Sequence, residues 1–288
     1  MRMWTGLMAL WLTGCGGTPG DAAPEPAAQL TAGHDKLPER APEKPGFQLA
    51  FLMSEDTSVD TDAVVEAARK VGIQLSVDPE NDREVLAFDI AGGGSLLVAP
   101  IDVPHPDAAR MPTNPMSPSE AERATCKAHF IVTVLGLTGD VQAVDARMAK
   151  LTAAVVQGTT AKGAMLYHTP TFLKADLFAD FALSAEPGEL PVFIGVGFTL
   201  APEPDGRMSV LSHGMQRYGR EELYVTASQQ GSGAISFFLD MVGWLYVDTD
   251  KVLPTGDTVG RTAEEKVKVQ RVPSPTGEGP EVIRLDLP

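Results

Sequence analysis

From Phe47 onward the apolar residues change period repeatedly, and each change marks an element. Phe47 to Leu52 is an apolar run of strand length. Val64, Ala67, Ala68 and Val71 then recur at i, i+3, i+4 and i+7, the stripe of an amphipathic helix that Ser58 or Asp60 caps and Gly72 ends. Val85 to Ile90 and Ser95 to Ala99, either side of Gly92-Gly93-Gly94, read as a hairpin. The opening unit is therefore β-α-β-β. A proline-rich crossing runs from Pro100 to Pro118, followed by a short helix near Ser119 to Thr125. The β-branched run His129 to Leu135 then reads as a central strand. Asp140 caps a long helix that keeps Val141, Val144, Met148, Leu151 and Val155 to one side. Gly163 to Tyr167 is the next strand and Thr171 to Phe181 the next helix.

In the last hundred residues, Pro191 to Leu200 and Met208 to Ser212 predict a hairpin closing near Pro204-Asp205-Gly206, with Glu222 to Ala227 a further strand. Ser232 to Val247 is apolar almost all round, the mark of a buried helix, and Ser232 is its expected N-cap. Lys266 to Val272 and Glu281 to Leu287 complete an antiparallel pair. The fold class is α+β: mixed or antiparallel sheets with packed helices in a two-layer sandwich. Residues 46–288 form the globular part, which the pattern leaves open to division at about residue 185 into subdomains 46–185 and 186–288.

The N-terminus follows a different rule. Arg2 precedes the apolar run Trp4 to Leu12, about half the roughly 20 residues a membrane-spanning helix needs, so the run reads as a secretory signal. It ends in Leu12-Thr13-Gly14-Cys15, which matches the bacterial lipobox. Cleavage between Gly14 and Cys15 would expose a cysteine that carries lipid, palmitate included. Residues 1–14 are thus the signal peptide. Residues 15–45, rich in Ala, Gly, Pro and charge and without Val, Ile or any aromatic, are a flexible tether. Gly16 stands where Asp would mark retention in the inner membrane of enterobacterial lipoproteins, and that resemblance implies the outer membrane. With Cys15 acylated, Cys126 has no intramolecular partner and is expected to be a buried core thiol.

Thirty-eight acidic against 23 basic residues give a net charge of −15, which excludes a phosphate-backbone binder and with it nucleic acid as a partner. No cofactor fingerprint and no metal-ligand spacing occurs. Gly231-Ser232-Gly233 lacks the spacing of a nucleophile elbow, and Cys126 and His129 do not share a helical turn. A spatially assembled zinc set of His129, His168 and His213 would make the protein a metal-assisted hydrolase. Two acidic clusters, Asp56/Asp60/Asp62 and Asp248/Asp250/Asp257, lack the order of a calcium loop and read as helix-start and loop acids. The most specified stretch is Ser212 to Leu223. Its His213, Arg217, Tyr218, Arg220 and Glu221 form a candidate polar pocket for a carboxylate or a stacked ligand, unless Glu221 or Glu222 pairs with Arg217 or Arg220.

That stretch, with Gly214 and Tyr218-Gly219-Arg220-Glu221-Glu222-Leu223, together with His129-Phe130-Ile131-Val132 and Gly256-Asp257-Thr258-Val259-Gly260, resembles the bacterial domain-of-unknown-function family numbered 4261 over residues 47–288. Arg220 stands where that family commonly has Pro. The resemblance implies no catalytic residues. A looser similarity to Suppressor-of-fused-like domains implies toxin immunity as a further alternative. The sequence expectation is an envelope lipoprotein, membrane-bound through lipid on Cys15, whose domain binds a protein or small ligand without catalysis.

Overall fold

The computed structural model describes residues 47–79, 84–203, 205–226, 231–247, 253–277 and 279–287. The expected signal peptide, Cys15 and the expected tether lie outside the described residues, as do Asp248, Asp250, Pro204 and Ala227.

The first half builds a seven-stranded sheet. Its strands are β1 (Gln48–Ser54), β2 (Leu75–Val77), β3 (Leu86–Ile90), β4 (Ser95–Ile101), β5 (Ala128–Leu135), β6 (Ala161–Leu166) and β7 (Leu173–Lys174), in the order β2-β3-β4-β5-β1-β6-β7. All pairings are antiparallel. β5 and β6 flank β1 and are joined by α3 (Val141–Gln157), while α1 (Thr61–Lys70) follows β1. The strands and helix of the expected opening unit are present, with β2 added between α1 and β3, and the crossovers around β1 make a split β-α-β arrangement.

Local signals start the helices. Asp60 accepts from the Ala63 amide at 3.0 Å and Asp140 from the Ala143 amide at 2.8 Å, each satisfying an orphan donor. Ser119 and Glu122 form a reciprocal capping box at α2 (Glu120–Thr125). The end of α3 passes the start of α1 so closely that the Asp60 amide donates to the Gly158 carbonyl at 2.8 Å. A Cβ on Gly158 would lie 2.5 Å from the Asp60 oxygen, so this crossing requires glycine.

Two expected elements shift. The helix over Thr171 to Phe181 begins only at α4 (Ala175–Ser184), because Leu173 and Lys174 pair with Ala164 and Gly163 as β7. The strand over Pro191 to Leu200 opens as a helical turn, α5 (Val192–Gly195), and becomes β8 (Gly197–Pro202) only afterwards. Tertiary packing overrides β propensity there, since α5 lies between α4 and α6 (Gly231–Val247) with Ile194 buried.

The second sheet adds β9 (Met208–His213), β10 (Leu223–Thr226), β11 (Thr258–Val259), β12 (Val267–Val272) and β13 (Val282–Asp286), in the order β11-β12-β13-β10-β9-β8. β12 and β13 are the expected antiparallel pair; β10 and β13 run parallel. α6 covers this sheet through β9 and β10, burying Phe237, Phe238 and Val242. It begins at Gly231, which puts Ser232 in the first turn rather than before it. The protein is thus α+β, with helices layered on mixed and antiparallel sheets. One apolar cluster extends from Leu75 through Phe130, Phe178 and Phe237 to Leu287 and so joins both sheets.

Candidate functional site

Between β9 and β10 the chain makes a 3-10 turn, Met215–Tyr218, bracketed by Gly214 at φ 103° and Gly219 at φ 72°. Both glycines occupy the left-handed region, where side chains with a Cβ are strained. Met215 is fully buried and fixes the turn, which sets Arg217 and Tyr218 facing α3.

There they meet Asp145, a carboxylate only 1% exposed. Arg217 binds it bidentately, Nε to Oδ2 at 2.6 Å and Nη2 to Oδ1 at 2.7 Å, and Nη2 also donates to Gln48 Oε1 at 2.9 Å. The Tyr218 hydroxyl donates to Asp145 Oδ2 at 2.9 Å. With its hydrogen directed at the carboxylate, that hydroxyl accepts from His168 at 3.1 Å, so Nε2 of the histidine carries a hydrogen. Asp145 thus receives three donors, enough to offset the cost of burying its charge. The assembly ties β1, α3, the loop after β6 and the β9–β10 connection together.

The rest of the expected pocket goes elsewhere. Glu221 pairs bidentately with Arg271, both contacts at 2.8 Å. Arg217 thus binds Asp145, and Glu221 binds Arg271, partners outside the Ser212 to Leu223 stretch. Register explains it: β10 lies beside β13, which lies beside β12, bringing Arg271 to Glu221. His213 Nε2 shares a hydrogen bond with Thr199 Oγ1 at 3.0 Å, and desolvation pushes the ring's pKa down to about 4. Arg220 is buried, 6% exposed. Glu222 holds the turn's start, accepting from the amides of Gly214 at 2.9 Å and Gln216 at 3.5 Å and from the Ser212 hydroxyl. Burial nevertheless pushes its pKa above the ordinary value, because desolvation outweighs those bonds.

The three histidines of the zinc alternative have separate surroundings. His168 joins Tyr218 and Asp145, His213 joins Thr199, and His129 bonds the Val103 carbonyl at 2.7 Å beside His105. Among the described residues no group of three or more His, Cys, Asp or Glu side chains is placed to hold a metal ion. Asp60 is a helix cap, as expected of its cluster. Cys126 is 8% exposed and its thiol donates to the Glu122 carbonyl; burial raises its pKa, away from a nucleophilic thiolate.

Sequence reasoning missed Asp145 and Gln48, and it singled out His168 for a zinc set rather than as the partner of Tyr218. For Asp145 a signal existed: it lies four residues after Val141 and three before Met148, a carboxylate set on the stripe that α3 buries. Such a group needs a partner, and Arg217 is 72 residues away. No helix among the described residues is long and apolar enough to cross a membrane. No protein-family model, curated protein or solved structure matches the chain.

Proposed function

We propose that this chain is a lipid-anchored protein of the bacterial cell envelope, held at the outer membrane through Cys15, whose domain binds a protein or small ligand without turnover. The observation that carries the reading is the N-terminal register: Arg2, the apolar run Trp4 to Leu12, and Leu12-Thr13-Gly14-Cys15, followed by about thirty residues that cannot form a core. Several acyl chains on Cys15 would hold stably where a single one does not.

Labelled palmitate and membrane fractionation test the anchor. The wild-type chain is expected to incorporate label and sediment with membranes, and Cys15→Ala to remain a soluble or uncleaved precursor without label. A Cys15→Ala chain still processed and lipidated would overturn the assignment. Zinc analysis tests the non-catalytic half: the purified protein is expected to hold less than about one-tenth of an equivalent, whereas a hydrolytic centre would hold close to one.

A further inference from the structure

α1, α3 and α4 pack on one face of the first sheet, the side of Ala50, Leu52, Phe130 and Val132, where the core lies. The opposite face points outward. The proline-rich crossing covers one end of it, where His105 packs on Phe51 at 5.2 Å and on Phe172 at 5.5 Å, beside buried Met53 and Met165. The other end is open. Leu49, Leu97 and Ile131 lie there by register, each only partly buried. The Tyr167 amide donates to the Leu49 carbonyl at 2.9 Å, and the Tyr167 ring stands 6.3 Å from that of Phe51. One step beyond the Gln48–Val134 pair, Phe47 comes beside Leu135. Phe47, Tyr167 and Leu135 are 62%, 67% and 40% exposed. β1, β4 and β5 carry no Asp, Glu, Lys or Arg, in a chain with 38 acidic and 23 basic residues.

We propose that this open end is the surface by which the tethered domain rests on the lipid bilayer, with Phe47, Leu135 and Tyr167 entering the interface. The proposal rests on the lipid anchor at Cys15. The place where the chain enters the domain carries it furthest: residues 15–45, read as the tether, lead into Phe47, a corner of the patch itself. A flexible chain of that length spans roughly 30 Å root-mean-square, so an acylated Cys15 keeps the patch close to the membrane. Over so short a span the effective concentration is millimolar, and adhesion too weak to hold a free protein becomes decisive. Phenyl and phenol rings suit the bilayer interface, where the Tyr167 hydroxyl stays among the headgroups. Strands without charge let a chain of net charge −15 meet lipid without desolvating carboxylates.

A second copy is the competing occupant, and area decides against it. From strand spacing and rise, the open end over β4, β5, β1 and β6 measures roughly 20 Å by 20 Å, whereas each partner of a stable protein pair gives up about 800 Å². Half that area serves a lipid contact, which needs no matching shape and adds to an existing anchor.

Tryptophan emission and brominated lipid test the contact. The full chain is expressed in a bacterium that processes and acylates lipoproteins, and the lipid on Cys15 is verified by mass spectrometry. Trp244→Phe removes the tryptophan outside the expected signal peptide, and Leu135→Trp puts one on the patch. In phosphatidylcholine vesicles this emission is expected to shift to the blue and to lose most of its intensity when the acyl chains carry bromine. Val77→Trp, at an exposed position paired with Phe88 on the helix side of the sheet, should show neither effect. Tyr167→Asp, added to the Leu135→Trp chain, should return the emission to that of tryptophan in water, and Tyr167→Phe should not. A lipidated chain whose Leu135→Trp emission stays unquenched overturns the docking and leaves the anchor standing; a chain without lipid on Cys15 ends both. Equal quenching at the two sites, or quenching that survives Tyr167→Asp, also overturns the docking. So does blue emission that bromine leaves intact while the chains cross-link as dimers, which would give the patch to a second copy.

Discussion

Asp145 and Arg217 behave as one unit. The carboxylate is 1% and the guanidinium 14% exposed as side chains, so removing either leaves a largely desolvated charge without its partner. Asp145→Asn should cost about 3–5 kcal/mol, whereas the double change Asp145→Leu with Arg217→Met should recover most of that loss. Urea denaturation checks both; a double variant as unstable as the single one would refute the pairwise account. Titration adds a signed prediction. His213 has a folded pKa of about 4 against an ordinary 6.5, so the folded state binds fewer protons than the unfolded state between those values. Its contribution to stability is complete above pH 6.5 and is lost as pH falls toward 4. His105, lowered by burial and by His129, adds the same sign. Glu222, raised by burial, acts oppositely: its contribution is present below its ordinary 4.5 and is lost as pH rises through the folded value. His213→Gln should therefore flatten the loss of stability between pH 6.5 and 4, measured by denaturation at stepped pH. An unchanged slope would remove His213 from the account. Arg217 and Tyr218 were legible as specified positions because two glycines and two arginines crowd one connection. Their partners were not, because local pattern carries no information about which carboxylate a chain returns to after 72 residues.

At the scale of elements, periodicity found what local physics determines. The caps at Asp60, Asp140 and Ser119 and the stripes of α1 and α3 are local, and the helices stand where those residues put them. It failed where packing decides. β2 and β11 are edge strands of three and two residues, too short to show alternation. α5 occupies an apolar run that reads equally as a strand. Contact geometry also gives one substitution opposite effects in two helical settings. Gly158→Ala would place a methyl 2.5 Å from the Asp60 carbonyl and 2.6 Å from a Val64 methyl, forcing α1 and α3 apart at a cost of about 1–3 kcal/mol. Gly243→Ala, within α6, meets nothing within 4 Å and should stabilise by about 0.5–1 kcal/mol through helix propensity. Melting curves of the two variants should shift in opposite directions, and a shared direction would mean that the α1–α3 crossing yields more easily than its distances imply.

For the whole molecule, the open matter from sequence was whether residues 46–185 and 186–288 stand apart. The apolar cluster and the Asp145–Arg217 pair both cross that boundary, since Phe178 and Phe238 belong to one core and Arg217 reaches α3. Coupling of this kind predicts cooperative unfolding, with both halves losing structure at one midpoint. The chain supplies its own reporters. Of three tryptophans two, Trp4 and Trp11, fall in the expected signal peptide, so in the processed protein Trp244 on α6 reports the second half alone. Cys126, buried on the outer face of the first sheet, reports the first half through its thiol once Cys15 is acylated. Fluorescence of Trp244 and thiol labelling of Cys126, followed over the same urea gradient, should give coincident midpoints. Separated midpoints would mean that the halves open independently and that the core between them is weaker than its burial implies. Arg217→Met should widen any such separation, because it removes the charged link while leaving the apolar one in place.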